Sequence, residues 1–153
     1  TNGPQLFYGL RYHVHITKPD QVKTYHDQVG YWLWEPVTQT VIHTLTIPRG
    51  QALMAGGTVA PDAKEFELIA RQGDPYYGIS SNPFLEHAFK TVEFRIKVRI
   101  NDDGTWGYSE DTVMQIQGLS EPFHHTDDNI LRKVGEPTPN PLALAAQTAG
   151  ASI

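Results

Sequence analysis

Alternation of apolar and polar side chains dominates this chain. Val92, Phe94, Ile96, Val98 and Ile100 interleave with Glu93, Arg95, Lys97 and Arg99. Period two on one stretch of chain marks a half-buried antiparallel strand. Asn101-Asp102-Asp103-Gly104 follows, and its Asp-Gly step predicts a tight hairpin. The return strand is expected from Thr105 to Gln117, with Trp106, Tyr108, Met114 and Ile116 sharing one face. Upstream, Tyr8, Leu10, Tyr12, Val14 and Ile16 alternate with Gly9, Arg11, His13 and His15, giving another strand before a turn at Lys18-Pro19-Asp20. Val22 to Glu35, Thr40 to Ile47, Gln51 to Val59 and Glu65 to Arg71 read as further strands, separated by Pro48-Arg49-Gly50 and Pro61-Asp62.

Many short strands with Gly, Pro and Asp punctuation predict an all-β fold, an antiparallel up-and-down barrel of lipocalin or calycin type. One short helix is expected at most, from Pro83 to Phe89 with Asn82 as its N-cap. The pattern stops after Val134. Residues 1–134 are therefore read as one barrel domain and 135–153 as a Pro/Ala-rich tail, because Glu136-Pro137-Thr138-Pro139-Asn140-Pro141 cannot pair in a sheet.

Composition narrows the function classes. A single domain of 153 residues can bury a core, and 39% hydrophobic with 19% charged residues argues against disorder. A net charge of −5 without a Lys/Arg cluster argues against nucleic acid and anionic membranes as partners. The chain lacks cysteine, which removes disulfides, thiolate metal sites and cysteine nucleophiles and agrees with an expected cytoplasmic location. No apolar run reaches membrane-spanning length and no signal-peptide pattern opens the chain. It starts at Thr1 rather than methionine, and the expectation is that residues are missing upstream.

Three groups of residues could carry chemistry. His124 and His125 are adjacent on the last expected strand, so one imidazole enters the barrel while the other faces out. Such a pair is ordinarily a surface pair; a ligand role needs an inward ring, with Thr126 and Asp127 nominated as hydrogen-bond acceptors. His13-Val14-His15 places two rings on one face, as a first-row metal requires. With Gly9 and His26 it weakly resembles the first cupin motif, although the alternation puts these histidines outside. Trp32 and Trp34 share one side of an aromatic strand that could fill a core or line a cavity for a flat ligand. Glu110 and Asp111, the nearest to a carboxylate pair, point apart. Gly56-Gly57 reads as a bulge or a point of close approach.

Several segments, in order, resemble the nitrobindin-like haem-binding β-barrels, the group that includes the THAP4 C-terminal domain and bacterial fatty-acid-binding-like proteins. These are Gly30-Tyr31-Trp32 with Glu35-Pro36, Ile47-Pro48-Arg49-Gly50 leading to Gly57, Gly104 to Met114 with Tyr108 and Asp111, and Glu121 to Val134 ending in Leu131-Arg132-Lys133-Val134. The family's opening Gly-x-Trp-x-Gly strand is absent, and the spacing from either histidine to Leu131 exceeds the family's by one or two residues. The resemblance implies haem b with His125 as the proximal iron ligand, or His124 in the other register. Trp32, Trp34, Tyr108 and Met114 are expected to line the pocket. It further implies reactivity toward nitric oxide or peroxynitrite, with a peroxynitrite-isomerase-like activity as the enzymatic form. Expected partners are haem or an apolar small molecule, with a homodimer as a candidate assembly. The rival readings are a fatty-acid or other apolar-ligand carrier and a mononuclear metal enzyme built on His13, His15 and His26.

Overall fold

The computed structural model describes residues 7–19, 22–136, 138 and 141, so most of the expected tail, and Asp20 in the first turn, lie outside the described residues. Strands β1 (Tyr8–Thr17), β2 (Thr24–Glu35), β3 (Thr40–Ile47), β4 (Gln51–Thr58), β5 (Glu65–Arg71), β6 (Ile79–Ser81), β7 (Phe89–Ile100), β8 (Trp106–Ile116) and β9 (Phe123–Leu131) surround one helix, α1 (Pro83–Ala88). The strands form one antiparallel sheet in the order β1-β2-β3-β4-β5-β7-β8-β9, with the short β6 paired to β4. The sheet curls into a half-barrel. Among the described residues its end strands, β1 and β9, are not hydrogen-bonded to each other.

Local chemistry sets the corners. In the β7–β8 loop Gly104 has φ 79°, and its N–H donates to the Asn101 carbonyl at 3.0 Å. Thr105 answers by accepting the Asn101 N–H at 3.0 Å, so a left-handed glycine closes the hairpin. Gly50, at φ 77°, closes the β3–β4 turn in the same way. Asn82 then links two elements: its side-chain amide donates to the Arg49 carbonyl at 2.6 Å, and its oxygen caps α1 by accepting from Leu85 N–H at 3.0 Å.

The described strands follow the sequence alternation with one correction. A bulge between Thr91 and Glu93 reverses the parity of β7, so Thr91 shares the inward face with Phe94, Ile96 and Val98, and Val92 does not lead that row. The outward row makes an ion-pair ladder: Arg71 to Glu93, Arg95 to Glu93 and Glu67, and Lys97 to Glu65, all within 2.9 Å. Inward, Leu45, Leu53, Ala55, Leu68, Ala70, Phe94, Ile96 and Val98 pack into one apolar core on β3, β4, β5 and β7. The other half of the curl, formed by β1, β2, β8 and β9, is left hollow.

Two glycines fit this packing. A methyl group at Gly56 would meet the Tyr77 ring at 2.0 Å, so the Gly56-Gly57 segment is a point of close approach. One at Gly30 would lie 1.8 Å from the Thr44 carbonyl oxygen and 2.9 Å from the Tyr12 ring, which crosses the strand there.

Candidate functional site

The hollow half borders an open cavity of about 930 Å³. This is at the upper end of the range usual for small-molecule and cofactor sites. On β9, His125, Asp127, Asn129 and Leu131, which share one parity, line the cavity, together with Thr126. His124 takes the opposite face, where its Nδ1 lies 2.8 and 3.0 Å from the two carboxylate oxygens of Asp111. The adjacent histidines are thus divided between the two faces of the strand. His125 lines the cavity without a side-chain hydrogen bond to another described residue, Thr126 and Asp127 included.

On β8, Trp106, Tyr108 and Glu110 face inward. The β8–β9 register puts Glu110 directly opposite Asp127, so the carboxylate pair of this protein spans two strands. Burial, and then the neighbouring Asp127 charge, push the Glu110 carboxyl up to about 7. Asp127 is itself held in place. Asn129 Nδ2 donates to its Oδ2 at 2.7 Å, and the Tyr108 hydroxyl lies 3.3 Å from the same oxygen. Burial, with the Asp127 and Glu110 charges, pushes the Tyr108 phenol up to about 12.

The cavity wall opposite is aromatic and contains a residue the sequence reading passed over. His43 is 1% exposed and stacks on Trp32 with ring centroids 4.1 Å apart. Its Nε2 lies 2.7 Å from the Tyr12 hydroxyl, which also donates to the Thr44 carbonyl at 3.0 Å and accepts from Gln28 Nε2 at 3.2 Å. Gln28 Oε1 in turn lies 2.9 Å from His26 Nε2. A polar chain therefore runs from His26 through Gln28 and Tyr12 to the buried His43. Burial drives the His43 imidazole down to about 4, so the ring is neutral near pH 7. Two buried polar atoms, His43 Nδ1 on this wall and Trp106 Nε1 on β8, have no hydrogen-bond partner among the described residues. His43 shares its parity with Val41, Leu45 and Ile47, and that alternation marks it as an inward residue.

The remaining expected residues divide. Trp32 and Tyr108 line the cavity; Trp34 and Met114 do not. Trp34 has the parity of Trp32 but lies one repeat further along β2, beside a separate shallow depression with Tyr8, Leu33 and Val41. Met114 pairs opposite Phe123, about 13 Å along β8 from Glu110 at the usual strand rise. His13 and His15 sit together at the cavity rim, each 3.1 Å from Asp27 Oδ2, while His26 turns toward Gln28 and stays out of that group.

This arrangement fits a haem. It presents an imidazole with no competing side-chain bond, Trp32, Trp106 and Tyr12 as flat walls, and Leu10, Ile96 and Leu131 as apolar surface. No Lys or Arg is among the described lining residues. No helix among the described residues is long and apolar enough to cross a membrane. No curated protein matches the chain. Residues 1–133 match the THAP4-like, heme-binding beta-barrel domain, and the chain belongs to that haem-binding family.

Proposed function

We propose that this domain holds haem b through His125 and presents the bound iron to nitric oxide or peroxynitrite. The observation carrying this reading is the division of the histidine pair: His124 is bonded to Asp111 outside, and His125 lines the cavity uncommitted. Haem would be held by His125 and would supply an iron able to bind a small ligand.

The chain's own residues do the rest. Trp32, Leu10 and Leu131 offer apolar surface to a bound ligand. Glu110, with a carboxyl near 7, can hold a proton at neutral pH or release it. Tyr108 and Asn129 fix Asp127, whose charge maintains that poise. Hemin titration with visible spectroscopy tests the reading. The wild type and His124→Ala are expected to give the same shifted Soret band, and His125→Ala to lose it. An unchanged band in His125→Ala would assign the iron to another residue. No shift in the wild type would leave an apolar-ligand carrier as the function of the same cavity.

A further inference from the structure

The geometry points to a second site, independent of haem, in which His13, His15 and Asp27 bind one divalent first-row transition-metal ion at the cavity rim. His13 and His15 are two apart on β1 and so project from one face. Asp27 lies directly across from His15 in the β1–β2 register. Its Oδ2 is 3.1 Å from His13 Nε2 and 3.1 Å from His15 Nδ1, and one potential ligand atom from each residue falls within 4.8 Å of the others. The two imidazole planes are nearly perpendicular, at 88°, so two nitrogens converge on one oxygen without the rings colliding.

Support around the cluster is also in place. A register shift at Ile16/Thr17 brings Thr24 beside β1, and its hydroxyl lies 3.4 Å from His15 Nε2, the nitrogen that faces away from Asp27. Metal-bound imidazoles commonly have such a partner on the second nitrogen. As a purely protonic arrangement, the cluster is a set of exposed ion pairs that contribute little to stability. As a ligand set, it offers two imidazoles and one carboxylate, a combination suited to zinc, nickel or copper and poorly suited to calcium or magnesium. Three protein ligands leave at least one coordination position for water.

The test uses the full chain without haem, titrated with zinc chloride by calorimetry. One equivalent is expected to bind, with excess calcium chloride having no effect. His13→Ala, His15→Ala and Asp27→Asn should each weaken binding by at least roughly tenfold. His124→Ala should not, because His124 and Asp111 form a similar exposed imidazole–carboxylate pair with no third ligand among the described residues. All of these side chains are solvent-accessible, and far-UV circular dichroism verifies that each variant keeps the sheet. Zinc binding that is absent, equally tight in Asp27→Asn, or lost in His124→Ala overturns the assignment. So does competition by calcium at equal concentration. Because the readout is zinc heat rather than a Soret band, this result and the haem result are read separately.

Discussion

Two residues on facing walls of the cavity give this protein opposed pH responses. Glu110 titrates near 7 in the fold, above its ordinary 4.5, so the stability associated with its neutral form is fully present below about 4.5 and lost as pH rises through about 7. His43 titrates near 4, below its ordinary 6.5, so its contribution is present above about 6.5 and lost as pH falls through about 4. Between these limits the two slopes run in opposite directions and largely offset each other. Urea denaturation of the wild type is therefore expected to be nearly flat from pH 5 to 6.5. Glu110→Gln should expose the acid-side loss due to His43, and it should exceed the wild type at pH 8 by on the order of 2 kcal/mol. His43→Phe should leave the opposite slope, with stability falling as pH rises from 5 to 7. Identical pH profiles for all three proteins would show that neither group is buried as described.

At the scale of single elements, β2 depends on a missing side chain. Tyr12 pairs with Gly30 and lays its ring across that position to reach His43 and Thr44. Gly30→Ala must displace either the Thr44 carbonyl or the Tyr12 ring, and is expected to cost on the order of 3 kcal/mol by chemical denaturation. Gly9→Ala, whose methyl would sit 3.4 Å from Leu33 Cδ2, should be close to neutral and serves as the control. The strands themselves were legible from the sequence because alternation is a local property that each segment carries alone. Three features were not. β6 is too short to show a period. The bulge in β7 is invisible to a simple alternation, which runs straight through Val92. The Glu110–Asp127 pair depends on the register between β8 and β9, and that is set by the turn from Gln117 to Pro122 rather than by either strand. Parity split His124 from His125 and put Trp32 with Trp34 on one side, but it did not say which side was inward; the preference for His125 came from the family resemblance. Parity could not separate Trp32 from Trp34, which differ only in distance along the strand.

For the whole molecule, the chief asymmetry is between its packed half and its hollow half. Strands β3, β4, β5 and β7 close around Leu68, Ile96 and Val98, none of them more than 2% exposed, and they are braced outside by the Arg–Glu ladder. Strands β1 and β9 each have a neighbour on one side alone among the described residues, and they border the cavity rather than the core. Such a molecule should not open as a single unit. Amide protons of β7 and β5 should exchange with deuterium only through global unfolding, whereas those of β1 and β9 should exchange orders of magnitude faster through local opening. Adding hemin should slow exchange at β8 and β9 while leaving β5 unchanged. Uniform protection across the sheet would contradict this picture. The packed half would then act as a rigid palm and the two edge strands as fingers, so that a ligand enters between strands that share no hydrogen bonds, without breaking the core.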